Sequence, residues 1–384
     1  MIIYLDYNAT TPVDPRVMEA MVPYFTDKYG NAASRNHRFG WEAEEAVDRA
    51  RKTVAQELNA SPREIVFTSG ATESVNLALK GVAQAYRDRG RHMVTQVTEH
   101  RAVLDTCKHL EAQEWKITYL PVEKDGRVSP ERVGSAIRED TVMVVIMHAN
   151  NEIGVLNPIE EIGAICEDKG VFFAVDAAQS FAKLPLDVKR AGIHLLAASG
   201  HKIYGPKGIG FLYVRARQPG VKLEIQMDGG GHERGMRSGT VPVPLVVGLG
   251  KAVRILRKER EAENDRLKDL TDRLRTGIQK ELPDVVVNGS LKHRLPHNLS
   301  VCFPGVDAES LLMGMKHVAC STGSACSSAT LEPSYVIRAL GRTEQEALSA
   351  VRFSVGRFTT QEDIATATGE IVATVKKLSR LVTA

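Results

Sequence analysis

The sequence predicts an α/β protein: a large, mostly parallel sheet covered by helices, followed by a smaller α+β unit. Three observations predict it. Seven short runs, "IVFT" (65–68), "HMVTQV" (92–97), "ITYL" (117–120), "VMVVIMH" (142–148), "VFFAVD" (171–176), "LLAAS" (195–199) and "IGFLYV" (209–214), are rich in apolar and β-branched residues. Several are apolar throughout, as strands covered on both faces are. Amphipathic patterns lie between them, roughly at 41–58, 72–88, 101–113, 130–138 and 158–168, and a βαβα order favours parallel pairing. From Pro244 to about Leu282 the chain becomes strongly helical and charged; after it "VVVNG", "HNLSVCF" and "VRFSVG" are separated by helical stretches. The division read here gives 15–250 to a large domain and 1–14 with 251–384 to a small one.

Composition narrows the class. With 384 residues, 43% hydrophobic and 25% charged, the chain reads as an ordinary globular protein long enough for two domains. The formal charge of +3, from 50 basic and 47 acidic residues, is no footprint for nucleic acid. The start, "MIIYLDYNATTP", lacks the basic flank and apolar core of a signal peptide. No apolar run approaches the roughly 20 residues of a membrane span. Five cysteines, odd in number and irregularly spaced, argue against a disulfide framework and for a reducing, cytoplasmic setting. No CxxC pair suggests a structural zinc site.

Open α/β sheets bind ligands at the C-terminal ends of their strands. Four such ends carry polar residues. In "FTSGATESVNLAL" (67–79) a strand ends, Gly70 permits a turn, and Thr72 opens a helix. The free backbone N–H groups and the Thr72 hydroxyl suit a phosphate, or Thr72 serves only as a cap. No GxxxxGK[ST] is present, so this is not a P-loop. In "TQVTEHRAV" His100 stands just past a strand, open to a structural or a catalytic reading. Asp176 closes the very apolar "VFFAVD", where a carboxylate is costly unless it meets a cation or donors. In "LLAASGHKIYGPKGIGFLYV", Ser199, His201 and Lys202 stand between two apolar strands in a glycine-rich loop whose glycines do not make the dinucleotide order. A lysine there can offer a free amine for a Schiff base.

Together these describe pyridoxal 5′-phosphate. Lys202 would hold its aldehyde, Asp176 would keep the ring nitrogen protonated, His100 would lie against the ring, and Thr72, Ser199 and His201 would take the phosphate.

Cys320 and Cys326 lie in "CSTGSACSSATLEPS", a stretch of small polar residues with no apolar periodicity. A buried structural thiol is the usual case, and Cys107, Cys166 and Cys302, in helix or strand patterns, are expected in the core.

The chain resembles the cysteine desulfurases of the class V aminotransferase family, fold-type I pyridoxal-phosphate enzymes, and within them the group that supplies sulfur for iron–sulfur clusters and nitrogen fixation. The resemblance runs in order through "YLDYNATTPVDP", "GNAASRNHRFG", "TSGATES", "TEHRAVLD", "NNEIG", "DAAQS", "SGHKIYGPKGIG", "GGGHERGMRSGT", "STGSACSSATLEPSYV" and "VRFSVGRFTT". It implies Lys202 as the imine lysine, Asp176 as the ring-nitrogen partner, Gln179 on the ring phenolic oxygen, and His100 stacking and moving protons. It implies Thr72, beside Ala71, with Ser199 and His201 on the phosphate, and Thr240 given to the phosphate of a second subunit, hence a homodimer. Asn150 and Arg352 would hold the substrate carboxylate, with Arg357 a nearby competitor.

Cys326 would be the nucleophile. L-cysteine would yield L-alanine and a persulfide on Cys326, passed to an acceptor such as an iron–sulfur scaffold. The segment from about 319 to 330 is then expected to move, since its thiol must meet a buried cofactor and afterwards an outside acceptor. A transient iron–sulfur ligand role for Cys326 stays open, as does the role of Cys320. Thr322 stands where serine is usual. Housekeeping bacterial members usually carry a longer tail after a segment like "KKLSRLVTA", so scaffold docking through such a tail is not expected. The competing readings are another class V enzyme, an aminotransferase or a selenocysteine lyase, and a binding protein without cofactor.

Overall fold

The computed structural model describes residues 2–217, 220–322 and 332–382. Strand β1 (Ile3–Tyr4) is followed by β2 (Ile65–Thr68), β3 (His92–Gln96), β4 (Lys116–Leu120), β5 (Thr141–Val145), β6 (Phe172–Asp176), β7 (Leu195–Ser199) and β8 (Gly210–Val214). The last seven form one sheet in the order β2-β8-β7-β6-β5-β3-β4. Strand β8 pairs antiparallel with both its neighbours and the other pairings are parallel, so six strands run one way. The mostly parallel α/β expectation holds.

The apolar strands are explained by their two covered faces. Phe67, Val94, Val144, Phe173, Val175, Leu196 and Phe211 join one core cluster; Val66, Met93, Val145, Phe172, Ala174, Leu195 and Leu212 join another on the opposite side. The helices Arg38–Glu57 and Ile159–Asp168 pack on the first face, and Ala71–Ala85 and Arg101–Glu111 on the second. Burial of alternate residues to opposite sides leaves no polar face to the strands.

Four further strands, β9 (Val286–Val287), β10 (Asn298–Cys302), β12 (Ser321–Thr322) and β13 (Ala350–Ser354), form a second sheet, while β11 (Val318–Ala319) pairs in parallel with β1. A separate cluster of Leu299, Val301, Leu311, Val351, Phe353 and Ile371 lies against them. One helix, Val243–Glu281, serves both units. Its Val246, Leu249 and Val253 join the large core, while Leu267, Leu270, Leu274 and Ile278 join the small one. The division expected at residue 250 thus falls inside a continuous helix. Cys107, Cys166 and Cys302 are buried. Among the described residues no helix is long and apolar enough to cross a membrane.

Candidate active site

Because six strands of the large sheet share one direction, their C-terminal ends lie along one edge. There a cavity of about 720 Å³ opens, lined by residues from the strand ends, the N-terminal segment and the small sheet. Its wall includes Ala71, Thr72, His100, Asp176, Gln179, Ser199, His201, Lys202 and Arg352. All of these were read from the sequence, and they meet in one place.

Lys202 ends a short 3-10 turn, Gly200–Lys202, directly after β7. Its Nζ donates to the main-chain oxygens of Asn8 at 2.6 Å and Ala9 at 2.7 Å. Asp176, the last residue of β6, is buried, with Oδ1 accepting from Ala178 N–H at 2.8 Å. Burial raises its pKa, and His100, that N–H and Lys202 pull it back. Gln179 donates through Nε2 to the Asn8 oxygen at 2.9 Å, and its buried Oε1 has no hydrogen-bond partner among the described residues. His100 caps the helix Arg101–Glu111, its Nδ1 accepting from Ala102 N–H at 3.1 Å. That bond fixes the ring plane at the cavity wall.

The corner read from the sequence as a phosphate cradle is built by close approach. Gly210 opens β8 opposite both Thr68 of β2 and Ser199 of β7. A Cβ on Gly210 would stand 2.4 Å from the Ala198 oxygen and 2.6 Å from Gly70 Cα. Glycine alone lets the two strand ends close around that corner. The helix Ala71–Ala85 starts there, with exposed Thr72 in its first turn and Ser199 nearby. His201 Nδ1 lies 3.1 Å from Thr10 Oγ1. Burial, then the Lys202, Lys207 and Lys183 cations, push His201 down to about 4, so it is a neutral imidazole at neutral pH.

Arg352, on β13, is buried at the cavity; its Nη1 donates to the Asn151 oxygen at 2.9 Å and its Nη2 to Asp6 Oδ1 at 2.8 Å. Arg357 is not its competitor. It is held by Asp14 at 2.7 Å and Glu263 at 2.5 Å, over the Tyr204 ring, and is not part of the cavity lining.

Asn150 is corrected. Its side chain is consumed by the turn after Met147: Oδ1 accepts from the N–H groups of Glu152 (2.8 Å) and Ile153 (2.9 Å), and Nδ2 donates to the Thr98 oxygen (2.9 Å). The next residue, Asn151, lines the cavity instead, with a buried Oδ1 that has no partner among the described residues. In "NNEIG" the two asparagines are chemically identical, and only the turn decides which one faces in.

Thr240 is exposed and not part of this cavity lining. Cys326 lies outside the described residues. Cys320 is half-buried against the small core, and burial pushes its thiol up to about 12. Among the residues that sequence reasoning left without a role are Asp6, Asn8, Ala9 and Thr10, all in the lining. The polar run "DYNATT" so near the start was their only signal.

The residues fit pyridoxal phosphate. An amine, a buried carboxylate and an imidazole surround one space, beside a helix N-terminus able to take a dianion. Buried amide oxygens of Asn8, Asn151 and Gln179 and Nε of Arg352 have no hydrogen-bond partner among the described residues. Buried polar atoms left in this way around one cavity mark a site built for a polar ligand.

The class V aminotransferase family model matches residues 3–366. The chain belongs to that family, whose members work with pyridoxal phosphate. It is similar to a cysteine desulfurase IscS of Anaeromyxobacter sp. (strain K), 56% identical over 382 residues, covering 99% of this chain and 94% of the relative. It is also similar to a cysteine desulfurase IscS of Pectobacterium carotovorum subsp. carotovorum (strain PC1), 56% identical over 94% of this chain and 90% of that one. Among solved structures, a NifS-like protein superposes with a TM-score of 0.89 at 36% identity over the whole of both chains. SspA in complex with cysteine gives 0.82 at 37% identity, over 93% of this chain and 99% of that one.

Proposed function

We propose that the chain is a pyridoxal-phosphate-dependent cysteine desulfurase that converts L-cysteine to L-alanine and a persulfide on Cys326. One observation carries the reading. Lys202, Asp176, Gln179, His100 and Arg352 line a single cavity in a chain 56% identical, over 99% of its length, to a cysteine desulfurase. When bound, the cofactor supplies an electron sink for the substrate's α-carbon. The residues supply the rest. Lys202 holds the cofactor's aldehyde and, once released, takes the α-proton. Asp176 keeps the ring nitrogen protonated, and its buried position makes that pairing strong. Ala71, Thr72, Ser199 and His201 hold the phosphate, Gln179 meets the ring oxygen, and His100 covers the ring face. Arg352 and Asn151 hold the substrate carboxylate. The Cys326 thiolate attacks the substrate sulfur. The carbon–sulfur bond breaks with its electrons left on carbon, which takes a proton to become alanine, and the sulfur stays as persulfide.

The same reading extends to a cytoplasmic homodimer, with Thr240 of each subunit on the partner's phosphate and an acceptor such as an iron–sulfur scaffold taking the sulfur. It assigns 15–250 to cofactor binding and 1–14 with 251–384 to the unit bearing Cys326. The exposure of Thr240 away from its own cavity supports the shared site.

The test is alanine and sulfide release from cysteine by wild type and Cys326→Ser. The variant should bind cysteine, seen in the cofactor's absorbance, but form no persulfide. Alanine formed at the wild-type rate by Cys326→Ser would point to another class V activity. For the shared site, inactive Thr240→Ala and Lys202→Ala subunits should regain partial activity when mixed, since one site of each hybrid carries both lesions and the other neither. No recovery despite proven subunit exchange would remove the shared site.

A further inference from the structure

Asp6 stands where a residue of its charge is unexpected. The cavity wall that would take the substrate carboxylate carries a carboxylate of its own. Its position is set by the backbone. Leu5 N–H donates to the Ala319 oxygen at 2.8 Å and Ser354 N–H to the Leu5 oxygen at 2.7 Å, so the N-terminal segment is stitched between β11 and β13. Asp6 then spans a cross-strand pair. Ser321 of β12 and Arg352 of β13 are register partners. Asp6 Oδ2 accepts from Ser321 Oγ at 2.6 Å, and Oδ1 accepts from Arg352 Nη2 at 2.8 Å.

A counter-ion whose only task was to neutralise a buried arginine would best engage it as a fork, two oxygens on two nitrogens. Asp6 does not. It gives Arg352 one oxygen and spends the other on Ser321. Arg352 Nε, buried, is left with no partner among the described residues, while Nη1 goes to the Asn151 oxygen. A ligand carboxylate docking side-on would take Nε together with Nη2, the nitrogen that already serves Asp6. Two negative charges would then share one guanidinium.

We infer that Asp6 is a positioning counter-charge that limits how tightly Arg352 holds the substrate carboxylate, and so favours release of alanine. The inference rests on the reading of Arg352 as the carboxylate holder. Its physical content is a trade. Asp6 keeps the guanidinium aimed while no ligand is present, and its repulsion weakens the bound state of substrate and product alike. Weaker uniform binding costs nothing in turnover once product release competes with chemistry.

The test measures binding of L-alanine and of ethylamine, which lacks the carboxylate, to the loaded enzyme through the cofactor's absorbance. Asp6→Asn removes the charge and keeps the volume. It should bind alanine about tenfold or more tightly than wild type, since a like charge at about 5 Å is worth at least that at an effective dielectric of about 20. Ethylamine affinity should not change. Asp6→Glu keeps the charge and should stay within about threefold of wild type. In turnover with cysteine, KM and kcat of Asp6→Asn should fall together as alanine release slows. A merely structural role would weaken alanine or leave it unchanged, and either result overturns the inference. Equal tightening of ethylamine also overturns it. Should Asp6→Asn not fold, Asp6→Ser carries the same expectation, and unchanged alanine binding there is equally fatal. A wild-type enzyme with no preference for alanine over ethylamine would instead remove the carboxylate role of Arg352, and this inference with it.

Discussion

Lys202 Nζ sits 2.6 Å from the main-chain oxygen of Asn8, a residue 194 positions earlier in the chain. The amine therefore pins the N-terminal segment to the end of β7, and the same segment supplies Asp6, Asn8, Ala9 and Thr10 to the cavity. Lys202→Ala should do two things. It should abolish the visible imine band, with borohydride no longer fixing the cofactor to the chain. It should also lower the stability of the cofactor-free protein by about 1–3 kcal/mol, because the Ala9 oxygen loses the Lys202 donor and the Asn8 oxygen is left with Gln179 alone. Borohydride labelling of another lysine in the variant would refute the assignment; denaturant melts read the second effect.

Asp176→Asn should keep the fold and cut turnover about a hundredfold or more. The amide fills the same place and can still accept from Ala178 N–H, so packing is retained. What is lost is the charge proposed to hold the ring nitrogen's proton. Steady-state kinetics with a circular-dichroism spectrum decide it; near-normal turnover contradicts the role.

The two asparagines of "NNEIG" should separate cleanly. Asn151→Ala should raise KM for cysteine about tenfold, the cost of one hydrogen bond to a charged group, with stability nearly unchanged. Asn150→Ala strands two buried N–H groups, those of Glu152 and Ile153, and should cost about 2–4 kcal/mol of stability instead. A KM effect confined to Asn150→Ala would return the carboxylate contact to Asn150.

Glu99 predicts a pH dependence. It is fully buried beside His100, its Oε1 accepting from Met147 N–H at 2.6 Å and Gln96 Nε2 at 2.8 Å. Burial raises its pKa to about 8, with Asp176 adding and the two hydrogen bonds opposing. Its ordinary value is near 4.5, so between these limits the folded state binds more protons than the unfolded one. Its contribution is therefore greatest below about pH 4.5 and declines as pH rises towards 8. Glu99→Gln removes the titration. Measured without cofactor, its stability relative to wild type should improve on going from pH 5 to 8, by at most about 1.4 kcal/mol per pH unit. A constant difference across that range would show that folding does not raise the Glu99 pKa.

Much of the architecture is written in local order. Strands such as "IVFT" and "LLAAS" lie where their apolar runs are, because a strand covered on both faces can hold little else. Lys202, Asp176 and His100 were legible as a set: each lies at or just past a strand end, where any one alone could cap or pack, and together they describe a cofactor site. The helical run from Pro244 to about Leu282 was visible; that it serves both cores was not, since the apolar stripe of Val243–Glu281 passes from one to the other without a break in its pattern.

What the chain alone determined, then, is the chemistry of single positions at strand ends, because burial pattern and residue type are local properties. What only the tertiary structure decided is which side chains share a space. Asn151 faces the cavity because Asn150 is spent on capping the turn that both occupy. Asp6 reaches Arg352, 346 residues away, because the N-terminal segment is stitched between β11 and β13. Such meetings depend on strand register across hundreds of residues, and register is set by packing that no short window of sequence contains.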